Sequence, residues 1–285
     1  MSPTTAQESR SFIHVGQENT TPIDIYYEDH GSGKPVVLIH GWPLSGASWE
    51  KQTAALLAAG HRVITYDRRG FGKSSQPTTG YEYDTLAADL NKLLTALDLK
   101  DVALVGFSMG GGEVARYLGT YGAERVTRAA FLSAVPPFLL KTADNPNGIE
   151  QAVFDGIQKG LRDDRPGFLA QFLANFYNVD VLGGKRISDE AVKSSWTVAI
   201  GASPTGTHDC VKAWYTDFRK DLAKITVPTL VLHGDRDRIV PLAVSGALTQ
   251  AAIRGSKYVP VKDAPHGLLV THADQVNAEL LSFLK

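Results

Sequence analysis

Four short apolar runs constrain the fold of this chain most. They lie at residues 36–39, 63–66, 102–105 and 229–232. Runs of this length without polar alternation are typical of strands buried on both faces, as in a parallel sheet covered by helices. Between the second and third runs, apolar residues recur at the spacing expected of a crossover helix: Leu86, Leu90, Leu93, Leu94 and Leu97. The sequence therefore predicts an α/β fold with a mostly parallel sheet.

The two ends and the middle of the chain depart from this alternation. Residues 12–15 and 23–27 read as two short strands, which indicates a hairpin at a sheet edge. A last strand near residues 258–261 and an amphipathic helix over about 273–284 close the chain.

The stretch beyond Ala134 is aromatic-rich and mostly helical in pattern, and the strand and helix alternation resumes at residue 227. We interpret it as an inserted helical cap. The expected division is a core formed by residues 1–134 and 227–285, with a cap at 135–226.

Composition excludes several classes of function. The formal net charge is -1, from 29 basic and 30 acidic residues without a block of like charge, which argues against nucleic acid as a partner. Cys210 is the only cysteine, so this chain cannot build a thiolate metal site by itself, and a reducing cytoplasm is favoured. Neither an apolar export signal at the N-terminus nor a membrane-spanning stretch is expected.

Residues 106–110, Gly-Phe-Ser-Met-Gly, match the pattern G-x-S-x-G between the third apolar run and a helical segment. A sharp strand-to-helix turn would lift the Ser108 hydroxyl above the sheet, beside the free amides of a helix N-terminus. An ordinary glycine-rich turn is the competing interpretation. The dinucleotide pattern G-x-G-x-x-G does not fit, because Phe107 and Ser108 follow the first glycine.

The partners of a nucleophilic serine should follow in the order acid, then histidine, on loops after later strands. His266 lies in Ala-Pro-His-Gly directly after the last predicted strand, and we expect it to be the general base. Asp237 and Asp235 both follow the strand at 229–232. We prefer Asp237, because Asp235 stands beside a glycine where a structural turn is expected. Asp67 and Asp263 read more simply as loop carboxylates.

Two backbone amides are expected to stabilise the oxyanion. Met109 follows the nucleophile, and Trp42 lies in the loop after the first apolar run. Pro43 has no N–H to offer but stiffens that loop. We interpret His40 as a structural residue.

Taken together, these segments resemble the cofactor-free (non-haem) haloperoxidases of the α/β-hydrolase superfamily, a group that also contains aryl esterases, perhydrolases and γ-lactamases. The resemblance runs over nearly the whole chain. It is carried by His-Gly-Trp-Pro-Leu at 40–44, Tyr-Asp-Arg-Arg-Gly-Phe-Gly at 66–72, the extended elbow at 106–113, and residues 144–146, 153–156 and 264–267.

The resemblance implies an eight-stranded, mostly parallel sheet with a helical cap. It also implies a Ser108, Asp237 and His266 triad, an oxyanion hole from the amides of Trp42 and Met109, and a homo-oligomer. Relatives of this kind hydrolyse esters or amides through an acyl-serine, and with hydrogen peroxide and a carboxylic acid they form peracids. No haem, metal or flavin is implied, and the expected partner is a small acyl substrate.

The cap resembles the γ-lactamase branch more than the common haloperoxidase pattern. Residues 175–178, 186–188 and 195–201 carry this likeness, which favours cyclic amides as substrates. Pro43 is the residue type that the resemblance associates with perhydrolysis.

Apolar side chains of the cap and of the loop at residues 40–44 are expected to line a pocket above the serine. The candidates are Trp42, Pro43, Phe138, Phe172, Phe176, Trp196 and Trp214.

Three other functions compete with acyl transfer. Epoxide hydrolases and haloalkane dehalogenases need a carboxylate at the elbow, where this chain has Ser108. A carbon–carbon bond hydrolase would use the same triad. A non-catalytic ligand receptor on the same fold is the alternative from another class.

Overall fold

A computed structural model describes residues 11–285 of the chain. Residues 1–10, where no export signal was expected, lie outside the described residues. Within residues 11–285 the chain forms an eight-stranded sheet with the strand order β1-β2-β4-β3-β5-β6-β7-β8. The strands are β1 (Phe12–Glu18), β2 (Thr21–His30), β3 (Pro35–Ile39), β4 (Arg62–Tyr66), β5 (Val102–Phe107), β6 (Val126–Leu132), β7 (Thr229–Gly234) and β8 (Lys257–Val261).

The pairing of the strands confirms a mostly parallel sheet. β1 and β2 form an antiparallel hairpin, and β2 pairs antiparallel with β4. All pairings from β4 through β3, β5, β6 and β7 to β8 are parallel. The strand β6 was not among the apolar runs, because its first half exposes Thr127 and half-exposes Arg128. Its second half is fully buried like the other central strands.

The helices in the described part of the chain begin with α1 (Glu50–Ala58), α2 (Tyr83–Ala96) and α3 (Met109–Tyr121). The expected crossover helix is α2, and its Leu86, Leu90, Leu93 and Leu94 are buried. α2 packs against α3, while α1 packs against the C-terminal helix. The remaining helices are α4 (Gln151–Phe176), α5 (Val179–Leu182), α6 (Asp189–Ile200), α7 (Pro204–Ala213), α8 (Arg219–Leu222), α9 (Gly246–Ala252), α10 (Leu268–Thr271) and α11 (Ala273–Leu284).

Helices α4 to α8 lie between β6 and β7, in the segment expected to form the cap. The longest, α4, is interrupted at Asp164, which has non-helical φ and ψ of -153° and 83°. Pro166 has no N–H for the helical ladder, and the Asp164 carboxylate instead accepts a hydrogen bond from the Gly167 N–H at 3.0 Å. A new helical segment therefore begins after Asp164, and it contains residues 168–176.

Candidate active site

Ser108 stands on the sharp turn between β5 and α3. Its φ is 54° and its ψ is -120°, a strained conformation for a residue with a side chain. The flanking glycines are required by close approach of the backbone. A Cβ on Gly106 would lie 2.5 Å from the carbonyl oxygen of Gly110, and one on Gly110 would overlap the carbonyl oxygen of Ile39. The G-x-S-x-G pattern is thus the spacing that allows β5, β3 and α3 to meet here.

A continuous hydrogen-bonded chain runs from Ser108 through His266 to Asp237. His266 Nε2 lies 2.8 Å from Ser108 Oγ, and His266 Nδ1 lies 2.7 Å from Asp237 Oδ2. All three residues are buried. A carboxylate accepts hydrogen bonds, so Nδ1 donates to Asp237, and the free lone pair of Nε2 faces the serine hydroxyl. These three residues come from loops that follow β5, β7 and β8 at the same edge of the parallel sheet.

The loop after β7 assigns different tasks to the two competing aspartates. Asp237 Oδ1 accepts hydrogen bonds from the N–H groups of Ile239 and Val240, at 2.9 and 2.8 Å, which leaves Oδ2 facing His266. The carboxylate of Asp235 instead accepts the N–H of Asp263 at 2.7 Å and joins two loops. The structure therefore brings Asp237, and not Asp235, to the histidine.

Burial by itself would raise the pKa of Asp237, because a charged carboxylate loses its hydration. The charge of His266 and hydrogen bonds from His266 and His233 outweigh burial and hold the pKa of Asp237 below its usual range. The carboxylate is ionised at neutral pH and can stabilise a developing imidazolium.

Two backbone N–H groups near Ser108 are available for an oxyanion. Met109 is the first residue of α3, and Trp42 follows the close contact of Gly41 with the elbow. A Cβ built on Gly41 would lie 2.9 Å from the Cβ of Ser108, so the loop after β3 passes directly against the nucleophile. Neither the Met109 N–H nor the Trp42 N–H has an acceptor within residues 11–285. Unpaired donors beside a nucleophile suit a negatively charged acyl oxygen.

Comparison with known proteins agrees with this arrangement. The sequence profile of the alpha/beta hydrolase fold matches residues 34–273. The chain belongs to the alpha/beta hydrolase family. A protein of Synechocystis provisionally named a non-heme chloroperoxidase is 60% identical over 274 residues, which cover 96% of this chain and 99% of that protein.

Two further relatives of this alpha/beta hydrolase extend the comparison. The crystal structure of a bromoperoxidase from Bacillus anthracis has a TM-score of 0.92 and 53% identity, over 96% of this chain and 98% of that one. A bifunctional esterase/perhydrolase of Acinetobacter calcoaceticus is 37% identical, over 92% of this chain and 96% of that protein. The expected resemblance to the non-haem haloperoxidases is confirmed, and the chain is an enzyme of the hydrolase class.

An apolar cavity of about 230 Å³ opens above Ser108 in this hydrolase. Trp42, Phe172 and Trp214 line it, together with aliphatic side chains of α4 and of the loop after β7. The three rings pack edge to face, with the Trp42 centroid 4.9 Å from Phe172 and 4.8 Å from Trp214. The Trp42 indole also donates to the carbonyl of Thr207 in α7 at 3.0 Å. This hydrogen bond joins the loop after β3 to helix α7.

The structure places the other expected pocket residues elsewhere. Phe176 packs on the His266 ring at 4.9 Å and faces a neighbouring cavity of about 340 Å³. Phe138 packs against the Arg219 guanidinium, and Pro43 is buried in the loop after β3 outside the cavity lining. Trp196 donates to the Pro166 carbonyl at 3.0 Å and lines a separate groove of the cap. The aromatic content of the segment predicted that Phe176 and Trp196 are packed, but it did not predict which side of its helix each ring occupies.

A buried ion pair beneath the oxyanion loop was not recognised from the sequence. Arg68 pairs with Glu113 of α3, and its guanidinium donates to the carbonyl of His40 at 2.7 Å. Burial lowers the pKa of His40 well below its usual value. Its Nε2 accepts the N–H of Arg68 at 2.9 Å, and its Nδ1 bonds the Gly41 carbonyl, which fits a structural role. Arg68 and Glu113 both stand in motifs of the resemblance, and that was the only available signal.

Other chemistries find little support in the described part of the chain. Among residues 11–285, no group of three or more His, Cys, Asp or Glu side chains is arranged to hold a metal ion. Burial raises the pKa of the Cys210 thiol to about 12, so it is a poor nucleophile.

None of the helices within residues 11–285 is both long enough and apolar enough to cross a membrane.

Proposed function

We propose that the protein is a serine hydrolase that acts on carboxylic esters through an acyl-Ser108 intermediate and also transfers the acyl group to hydrogen peroxide. One observation carries the proposal: the hydrogen-bonded chain of Ser108, His266 and Asp237 ends at the floor of an apolar cavity. The names of the relatives, which include an esterase/perhydrolase and chloroperoxidases, support the same reaction.

Acylation begins when Ser108 Oγ attacks the ester carbonyl carbon while His266 Nε2 removes the hydroxyl proton. The carbonyl oxygen becomes an oxyanion, and the amides of Trp42 and Met109 stabilise it. Asp237 stabilises the imidazolium. The C–O bond to the alcohol then breaks, and His266 returns the proton to the departing alkoxide oxygen.

Deacylation repeats these steps with a second nucleophile. Water, deprotonated by His266, attacks the acyl-serine and releases a carboxylic acid. Hydrogen peroxide in place of water releases a peroxycarboxylic acid, again with free Ser108. The peracid oxidises a halide ion in solution to hypohalous acid and is itself reduced to the carboxylate. The protein residues take part only in acyl transfer.

The cavity supports a substrate whose acyl part is apolar and uncharged. Its lining brings aromatic rings close to Ser108, and the polar residues Gln171, Asn175 and Arg238 also line it. In this proposal, residues 135–226 form the cap that shapes the acyl site, and residues 1–134 and 227–285 form the core. We propose cyclic amides as the second class of substrate, on the resemblance of residues 175–178, 186–188 and 195–201 to the γ-lactamase branch. We further propose a cytoplasmic location, which the single, buried Cys210 supports.

A substrate panel tests this proposal. p-Nitrophenyl esters of increasing acyl length, a bicyclic γ-lactam, a vinylogous 1,5-diketone, and acetate with hydrogen peroxide are offered to the wild type and to Ser108→Ala. We expect ester hydrolysis and peracid formation in the wild type and the loss of both in the variant.

The panel also distinguishes the competing functions. Cleavage of the diketone without ester hydrolysis would assign a carbon–carbon bond hydrolase. Binding of these compounds without any turnover would assign a non-catalytic receptor. Either result would overturn the proposal.

A further inference from the structure

A second histidine lies against the carboxylate of Asp237. His233 is the last residue but one of β7, and its side chain is fully buried. Its Nε2 lies 2.8 Å from the carbonyl oxygen of Val240 and 3.3 Å from Asp237 Oδ2. A carbonyl oxygen can only accept a hydrogen bond, so the proton of this ring stands on Nε2. That proton is directed at the Val240 carbonyl, and the Asp237 carboxylate lies 3.3 Å from the same nitrogen.

Asp237 Oδ2 therefore lies between two imidazole N–H groups. His266 Nδ1 approaches it at 2.7 Å and His233 Nε2 at 3.3 Å. The longer contact is the weaker of the two, and the geometry leaves His266 as the principal partner. Both contacts are buried. In such a site of low dielectric constant, an N–H group close to a carboxylate interacts with it more strongly than in water.

The opposite edge of the His233 ring is closed off. Its Nδ1 is buried and has no hydrogen-bond partner within residues 11–285. A Cβ on Gly246 would lie only 2.7 Å from this atom, so Gly246 leaves just enough room for the imidazole. The ring is thus held with Nε2, and not Nδ1, directed at the acid loop.

The charged neighbours of Asp237 along its own loop do not compete for this carboxylate. Arg236 is largely exposed and lies 3.8 Å from Asp263. Arg238 forms an ion pair with Asp180 at 2.8 Å. Within the described residues, the titratable side chains that contact the Asp237 carboxylate are the two histidines.

We propose that His233 is a positioning residue that tunes the Asp237 carboxylate and thereby the basicity of His266 in the acyl-transfer reaction. A polar N–H group close to a carboxylate offsets part of its negative charge. The N–H of His233 therefore weakens the attraction between Asp237 and the imidazolium that forms on His266 during acyl transfer, and removing this N–H should change how kcat/KM depends on pH. This inference rests on the proposed function.

Two substitutions distinguish an effect of His233 on the Asp237 carboxylate from a purely structural role. His233→Gln places an amide N–H near the position of Nε2, whereas His233→Leu has no donor. The measurement is kcat/KM for a p-nitrophenyl ester as a function of pH. Without the donor, the acid limb of the profile should move to higher pH by roughly 0.5–1 pH unit. The Gln variant should keep the limb within about 0.2 pH unit of the wild type.

An unmoved acid limb in His233→Leu, with kcat lowered by one factor at every pH, would overturn the inference. If the Leu variant does not fold, His233→Asn replaces it, because an Asn side chain is too short for its amide to reach Asp237, and the same two outcomes apply. Wild-type protein without esterase activity would contradict the proposed function instead. The two failures are therefore distinguishable.

Discussion

The acid loop after β7 and helices α4 to α8, the segment expected to form the cap, are held in place in different ways. In the loop after β7, hydrogen bonds determine the position of Asp237 on every side: two backbone N–H groups bind one oxygen, and two histidines face the other. Helices α4 to α8 are connected to the rest of the protein by single backbone hydrogen bonds, by aromatic contacts and by ion pairs such as that of Asp180 with Arg238. Examples of these hydrogen bonds are that from the Gly267 N–H to the Phe176 carbonyl at 2.8 Å, and that from the Ser203 N–H to the Gly70 carbonyl at 2.7 Å.

This difference indicates that the hydrogen-bonded loop carries out the acyl transfer, whereas the packed aromatic side chains determine which ester is preferred. Hydrogen bonds have fixed lengths and directions, so a network of them can hold reacting atoms to a fraction of an ångström. Packed aromatic rings can be substituted or rearranged with smaller losses of activity. We therefore expect changes at the triad to remove activity and changes in the cap to alter which ester is preferred.

The largest effect should come from Ser108→Ala. Without the hydroxyl, no acyl-serine can form, and kcat for ester hydrolysis should fall by on the order of 10⁵-fold. The strained turn remains intact because Ala has a Cβ like Ser, so the melting temperature should change little. Steady-state kinetics and thermal unfolding check both halves. Substantial remaining esterase activity would remove Ser108 from the mechanism.

The next effect distinguishes the two aspartates of the acid loop. Asp237→Asn removes the charge that stabilises the imidazolium and disturbs the tautomer of His266, so kcat should fall by about 10⁴-fold. Asp235→Asn is the matched control. It retains an oxygen that can accept the Asp263 N–H, and kcat should stay within about twofold of the wild type. Equal losses in the two variants would contradict the assignment of Asp237.

Stability should also respond to the ionisation of Asp237. The folded-state pKa of this group is depressed, so its contribution is fully present above the unfolded-state pKa of about 3.9 and is lost as the pH falls towards the folded-state pKa. Relative to Asp237→Asn, the wild type should therefore lose on the order of 2 kcal/mol of unfolding free energy between about pH 5 and pH 2. Urea titrations of both proteins at several pH values measure the difference. A difference that is constant with pH would show that the carboxylate gains nothing from its partners.

The smallest effect compares two cap aromatics. Phe172→Ala removes a ring that lines the cavity beside Trp42, and with it an apolar contact for a large acyl group. The value of kcat/KM for a long-chain or aromatic ester should therefore fall by roughly tenfold relative to that for the acetyl ester. Trp196→Ala changes a ring that packs in a separate groove, and the same ratio should stay within about twofold. Ratios of kcat/KM across the ester series measure the effect. The cap assignment would be reversed if Trp196→Ala altered selectivity and Phe172→Ala did not.

The sequence predicted those parts of the molecule in which local pattern and chain order are sufficient. Apolar runs identified four of the eight strands in the described residues, and three more were expected near the two ends of the chain. Ser108 and His266 were expected at one sheet edge because each follows a buried strand, and parallel strands bring such loops together. The preference for Asp237 over Asp235 could be formed from turn chemistry, but only the hydrogen bonds of each carboxylate distinguish the two.

The remaining features depend on which side of an element a residue faces. Periodicity indicates that Phe172 and Trp196 are in helices, but the break at Asp164 and the crossing of α6 and α4 decide which of them meets Ser108. His233 directly follows the run at residues 229–232 and belongs to the fully buried strand β7. Its contact with Asp237 depends on how the following loop turns back over β7, and no local signal in the sequence gives that turn.

Active-site labelling tests the central claim most directly. The wild type and Ser108→Ala are treated with a p-nitrophenyl phosphonate, and the intact mass and the peptide carrying the adduct are determined by mass spectrometry. We expect one adduct per chain in the wild type, located on Ser108, with loss of esterase activity in proportion to labelling, and no adduct in the variant. Labelling of another residue, or full esterase activity in the labelled wild type, would contradict the assignment of Ser108 as the nucleophile.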